Sequence, residues 1–176
     1  MECVIREATV EDCEHIMSLI HEIADFHHLL EDVTINSQVL KADGFGKDPF
    51  FKCLLAEQPV EKGCKPARPI GHALYFFGYN VNHGRMVYLE NLYVVAEFRG
   101  QGVGKQLLSK VAEIALEAGC VEMKFVTMEW NQAAKQIYVH LGAHDTTESE
   151  DLHCMVLDRD ALQRLQQSGK KKKIAH

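Results

Sequence analysis

The chain lacks any apolar run long enough to span a bilayer, and its first residues lack a basic-then-apolar leader. Both absences point to a cytoplasmic protein with no membrane partner. It has no Cys-x-x-Cys pair. Six cysteines, Cys3, Cys13, Cys53, Cys64, Cys120 and Cys154, lie scattered, which reads as reduced, mostly buried thiols and not a disulfide framework. It has no excess of positive charge. A net charge of -6 argues against nucleic acid as the main partner and mildly suits a cationic substrate. Internal repeats and a second domain are also absent. What remains is 176 residues, 47% hydrophobic and 25% charged, enough for one domain with a proper core.

One stretch organises the rest. Met86 to Val95 (MVYLENLYVV) is apolar and β-branched enough for a buried strand. Glu97-Phe98-Arg99-Gly100-Gln101-Gly102-Val103-Gly104-Lys105 follows, and then Val103, Leu107, Leu108, Val111, Ile114 and Ala115 recur at helical spacing. Strand, glycine-rich turn, helix is the predicted order. Such a turn exposes backbone N–H groups ahead of a helix dipole, and glycine lets an anion approach closely. Arg99 and Lys105 add charge at the rim, so a phosphate or pyrophosphate would fit. A tight turn without a ligand fits these residues too. The spacing is neither the G-x-G-x-x-G of dinucleotide folds nor a P-loop.

The rest reads in order as follows. Cys3–Arg6 is a first strand. Thr9 and Asp12 form a capping box before a helix with Ile16, Leu19, Ile20, Ile23 and Phe26 on its buried stripe. His21, Asp25 and His28 stand at i, i+4 and i+7, a spacing open to metal or to plain solvation. Asn36 or Ser37 caps a short helix to about Ala42, which Gly44 and Gly46 break. Residues 51–57 form a strand and 58–69 a loop. Ile70–Tyr79 and Arg85–Val95 form a hairpin about Asn82-His83-Gly84. Gly119 closes the long helix, Val121–Met128 is a strand, and Asn131 caps a helix ended by Gly142. Leu152–Leu157 is a last strand, Asp158–Gln167 a short helix, and Lys170–Lys173 a basic tail. The domain is expected over 1–168, with 169–176 a flexible tail.

Arg99-x-x-Gly102-x-Gly104 after an apolar strand resembles the acetyl-CoA pyrophosphate loop of the GNAT superfamily of N-acetyltransferases. The segments Val4–Ala8, Ala42–Gly46, Pro49–Phe51, Tyr88–Glu90, Glu129–Gln132 and Leu141–Ala143 resemble its diamine (spermidine/spermine) acetyltransferase family, including the thialysine-acetylating branch. The similarity runs from about Val4 to about Asp158.

The resemblance implies an α/β (α+β) GNAT fold. Its mixed, mostly antiparallel, twisted sheet has six to seven strands flanked by four to five helices, and two strands splay around acetyl-CoA. It implies acetyl transfer from acetyl-CoA to a small primary amine by direct attack, with no metal. Such transfer needs a base for the amine, donors for the developing oxyanion, and an acid for the leaving thiolate. Glu90 interrupts an apolar strand, where desolvation raises a carboxylate toward a useful base; it matches the family's proposed base, acting through water. Tyr138 matches the family's acid. Leu92, Tyr93 and Val94 would hold the oxyanion and pantetheine arm, Gly100–Lys105 with Arg99, Gln101 and Val103 the pyrophosphate, and Asn131 and Ala134 the cofactor arm. Phe26, His27, Asn91, Phe125, Val126, Glu90 and Glu150 would line the acceptor. A homodimer is expected, with residues near the C-terminal strand shared between subunits.

The acceptor is where the chain departs from the pattern. Asn80, Asn91 and His27 stand where polyamine-acetylating relatives often carry carboxylates; Glu150 and Glu90 keep theirs. Spermine and spermidine are therefore expected to be poor substrates, with a shorter amine, thialysine or an amino acid preferred. Two other readings stay open: a protein lysine or N-terminal acetyltransferase, and a non-catalytic module that binds coenzyme A.

Overall fold

The computed structural model describes residues 2–59, 68–150 and 154–171. Two compact units meet in the sequence between Val126 and Thr127.

The first unit is built on five strands, β1 (Val4–Glu7), β2 (Lys52–Glu57), β3 (Gly71–Asn80), β4 (Gly84–Val94) and β5 (Glu122–Lys124), in that spatial order. The first four are antiparallel neighbours and β5 joins β4 in parallel. The sheet is mixed and mostly antiparallel, as expected, but with five strands among the described residues where six to seven were predicted. Of the six strands read from the sequence, one, over 152–157, accounts for the difference. Residues 121–128 give only the three-residue β5, and Cys154–Leu157 are not strand. Leu152 and His153 lie outside the described residues.

Helix α1 (Cys13–Phe26) begins after a single 3-10 turn. At that turn the Thr9 N–H donates to Asp12 Oδ2 at 2.7 Å. Its apolar stripe buries Ile16, Met17, Leu19 and Ile23. Helix α2 (Ser37–Gly44) is capped by Asn36, whose Oδ1 accepts from the N–H groups of Gln38 and Val39, both at 3.0 Å. Helix α2 runs through Gly44, which was expected to break it, and a Cβ there would lie 2.3 Å from the Phe51 ring. Helix α3 (Val103–Glu117) buries Val103, Leu107, Val111 and Ala115, and Gly119 closes it at φ 75°.

Period-2 alternation divides the core between the sheet's faces. Leu54, Ala56, Ala73, Val87 and Leu89 pack with α3 on one face. Cys53, Leu55 and Tyr93 pack with α1 and Leu40 of α2 on the other. A cross-strand row Arg6–Leu55–His72–Tyr93 runs over this second face. At its rim the Arg6 guanidinium grips Asp12 at 2.7 and 2.9 Å and Glu57 at 2.6 Å. The Arg6 bond holds the Asp12 carboxyl down at about 2.

The second unit holds α4 (Gln132–His140), α5 (Thr146–Glu150) and α6 (Arg159–Lys171). Asn131 caps α4 as predicted, its Oδ1 accepting from the Ala134 N–H at 3.3 Å. Helix α6 outruns the expected 158–167 and takes in Lys170 and Lys171 of the basic run; Lys172 and Lys173 lie outside the described residues. With α5, six α-helices are described where four to five were expected.

Candidate active site

The centre of the site is an irregularity in β4. Leu74 of β3 stands opposite Asn91, and the next residue, Tyr75, stands opposite Leu89. Glu90 is thus the extra residue of a β-bulge. The bulge changes the strand's parity: Val87 and Leu89 face α3 before it, and Leu92 and Val94 after it. Glu90 is exposed, and not buried among the apolar neighbours of its strand as the sequence argument required. Bulges recur beside active sites because they re-aim a side chain and end a ladder. Here β5 pairs only with Met86, Val87 and Tyr88. From Leu89 to Val94 the β5 side of β4 has no strand partner among the described residues, and this stretch carries Leu92, Tyr93 and Val94. Strand β5 ends at Lys124, so its pairing with β4 stops short of the residues near 125–127, where a splay was anticipated. Phe125 packs partly against the α3 core, while Val126 is exposed.

Beyond β4 a 3-10 turn (Ala96–Phe98) leads into the glycine loop. Gly100 and Gly102 adopt φ 72° and 83°, and a Cβ at either would meet nothing within 4 Å. Both facts suit glycine: the backbone is left-handed and its outer side is open. Gly102 caps α3, so the first N–H groups of that helix lack intrahelical partners and face the loop. Val103 is buried and pins the helix start; Lys105 is exposed. Gln101 Nε2 donates to the Glu97 carbonyl at 3.0 Å, tying the loop to its turn. The arrangement fits a pyrophosphate, because it offers donors, positive charge and unobstructed space.

Arg99 is not simply a cation at the rim. Its Nε–H donates to the Val94 carbonyl at 2.9 Å, and its guanidinium lies over the rings of Phe26, at 4.7 Å, and Tyr93, at 5.3 Å. It joins the loop to the end of α1. Tyr93 Oη contacts Glu22 Oε2 at 3.2 Å, and Glu22 is paired with Arg68, which also donates to Ser18. Burial, and then Arg99, lower the His27 pKa. Phe26, His27, Tyr93 and Arg99 are thus brought together. The three-residue face of His21, Asp25 and His28 is not formed. Helix α1 ends at Phe26, and His28 lies beyond it at φ 58°. Among the described residues no group of three His, Cys, Asp or Glu is placed to hold a metal ion, and no helix is long and apolar enough to cross a membrane.

Asn80 serves the hairpin. Its Oδ1 accepts from the Asn82 N–H at 2.9 Å and its Nδ2 donates to Glu122 at 2.8 Å. In the second unit, Tyr138 lies on α4 with Asn131 and Ala134 near its start, and Glu150 ends α5. Burial raises the Tyr138 pKa, so its phenol is fully protonated at neutral pH. Sequence reasoning missed the bulge and also His72, whose only signal was an imidazole inside the apolar run Ile70–Phe77. It is fully buried, and burial pushes its pKa down to about 4.

A bulged, half-unpaired strand feeding a glycine loop and helix is the frame of an acyl-carrying enzyme. The profile of the Acetyltransferase (GNAT) family matches residues 14–143, and the chain belongs to that family. It is an N-acetyltransferase. Over 164 residues it is 43% identical to the thialysine N-epsilon-acetyltransferase of Bos taurus, covering 92% of this chain and 96% of that protein. It is 34% identical to the human spermidine/spermine N(1)-acetyltransferase-like protein 1, covering 90% of this chain and 23% of that one. In structure it is similar to a probable acetyltransferase at TM-score 0.71 and 22% identity, covering 89% of this chain and 99% of the other.

Proposed function

We propose that this protein moves the acetyl group of acetyl-CoA to the primary amine of a small molecule, thialysine or a related amino acid before any polyamine. The Glu90 bulge carries the reading. It sets a carboxylate on the strand whose unpaired edge and following glycine loop fit the cofactor arm. Gly100 to Lys105 would hold the pyrophosphate, the β4 edge from Leu92 to Val94 the pantetheine arm and oxyanion, and Asn131 and Ala134 the arm as well. Acetyl-CoA supplies the activated acyl group. The chain supplies position and protons. Exposed Glu90 takes the proton of the acceptor ammonium through a water molecule, and Tyr138 gives one to the leaving sulfur. A phenol held protonated by burial suits that second task.

Support for the acceptor comes from the thialysine relative and from this chain's own residues. Asn91 and His27 replace the carboxylates that would hold a second ammonium, and Asn80 is spent on the hairpin turn. Each missing charge-assisted bond would weaken a polyamine by about 2 kcal/mol, about thirty-fold. One acetyltransferase domain over 1–168, working as a cytoplasmic homodimer, belongs to the same proposal; the family profile spans both compact units.

The test is coenzyme A release with thialysine, lysine, small amino acids, putrescine, spermidine and one lysine peptide. We expect turnover of thialysine or an amino acid, and a loss of about a hundred-fold or more in kcat for Glu90→Gln and for Tyr138→Phe. Spermidine turned over with a micromolar KM would refute the acceptor assignment. Full activity in either variant would refute the role of that residue.

A further inference from the structure

His72 is fully buried on the central strand β3, on the face that carries Tyr93 and Asn91. It pairs in register with Tyr93, its ring centroid 6.4 Å from that ring, and Leu74 pairs with Asn91. His72 and Asn91 are therefore diagonal neighbours across the β3–β4 ladder, a spacing that long side chains bridge. Both ring nitrogens of His72 and Oδ1 of Asn91 are buried without a formed hydrogen bond. The Asn91 side chain is nonetheless close enough to oppose the effect of burial on the imidazole. A buried imidazole N–H and a buried amide oxygen with no other partner each carry a cost that one bond between them removes. No other buried side-chain oxygen or nitrogen among the described residues shares that condition. Asn91 is itself only partly buried and directly follows Glu90, the bulged residue.

We propose that His72 is a positioning residue for acceptor selection: its N–H holds Asn91 by Oδ1, so that the Nδ2 donors face the acceptor beside Glu90. The inference rests on the acetyltransferase function proposed above and deepens it. Amide donors at that place favour an acceptor with a hydrogen-bond-accepting group near its amine, a carboxylate, carbonyl or thioether. They disfavour a second ammonium. The neutral imidazole is suited to this task, because an imidazolium there would be a buried charge with no counter-ion.

Two measurements test it. The first is the ratio of kcat/KM for thialysine to that for a diamine of similar length, in wild type, His72→Phe and His72→Gln. Phenylalanine keeps the bulk and loses the donor; glutamine keeps a donor. We expect the ratio to fall about tenfold in His72→Phe, through the thialysine KM, with the KM for acetyl-CoA unchanged and the ratio largely restored in His72→Gln. An unchanged ratio in a folded His72→Phe protein overturns the proposal, since a merely structural histidine would give that result. Should His72→Phe not fold, Asn91→Ala must show the same fall, and its absence overturns the proposal equally. The second measurement needs no turnover. In the free protein the His72 side-chain nitrogens, read by long-range proton–nitrogen NMR, should show one fixed tautomer that Asn91→Ala releases. If Asn91→Ala leaves those signals unmoved, the pair does not exist. If the pair is seen but wild type acetylates no free amine, the proposed function has failed and acceptor selection fails with it.

Discussion

On the α3 face of the sheet, the buried side chains from Leu54 through Val87 and Leu89 to Val111 are hydrocarbon, with the Tyr75 ring and the Cys120 thiol among them. On the α1–α2 face, the row from Arg6 through Leu55 and His72 to Tyr93 carries three polar side chains, and Asp12, Glu57, Glu22 and Arg68 close onto its ends. One face is an oil layer, the other a wired one. Hydrophobic burial is non-directional and tolerates approximate fit, while a buried hydrogen bond demands its partner. The first face can therefore supply stability with little regard to chemistry, and the second can fix side chains beside an acceptor.

That contrast can be broken at four places. Leu107→Ala, at a fully buried position of α3, should cost about 3 kcal/mol by cavity formation. Denaturant unfolding would show it, with KM values unmoved in the folded fraction. A loss below about 1 kcal/mol would mean that the α3 face is not tightly packed. Next comes pH. His72 has its folded pKa lowered from 6.5 to about 4, so the unfolded chain binds the extra proton first. The stability it contributes is complete above pH 6.5 and declines as pH falls toward 4, by about 3 kcal/mol. His72→Phe should flatten that slope, and a slope that persists would assign it elsewhere. Asp12, lowered from 3.8 to about 2, acts in a lower window. Its contribution of about 2 kcal/mol is present above pH 4 and lost as pH falls through 2. Asp12→Asn should remove that acid limb in a pH series of melting curves. Gly102→Ala sharpens the comparison from outside both layers. Only the left-handed backbone opposes it, at about 1 kcal/mol, since its Cβ has open space. Calorimetric titration should show a larger loss in acetyl-CoA affinity than in stability.

Much of this was readable in the sequence, where local chemistry decides structure. Helices α1 and α3 follow their apolar spacing, Asn36 and Asn131 cap where their side chains reach the first turn, and Asn82-His83-Gly84 turns the hairpin. The glycine loop stands out because glycine alone takes φ 72° and 83° cheaply. The misses are non-local. A strand exists by pairing, which alternation at Cys154–Leu157 and beyond Lys124 does not supply. Arg99 reads as a free cation until Phe26 and Tyr93 arrive beneath it. His72 reads as one polar residue in a strand, because its burial depends on elements distant in sequence. The bulge left no trace at all: in MVYLENLYVV nearly every position is apolar, so a change of parity is invisible.

The bulge also makes β4 a strand with a shifted reading frame. Odd positions serve the oil layer up to Leu89 and even positions serve it from Leu92 on. Removing Glu90 would restore one frame throughout. Asn91 and Tyr93 would still face α1, and Leu92 and Val94 would still face α3, because Leu89 and Asn91 already oppose the consecutive residues Tyr75 and Leu74. A one-residue deletion at Glu90 therefore removes the kink and the carboxylate but leaves the contents of both layers in place, as does replacing Glu90 by another residue. The side chain at position 90 is free to be chosen for chemistry because neither layer uses it.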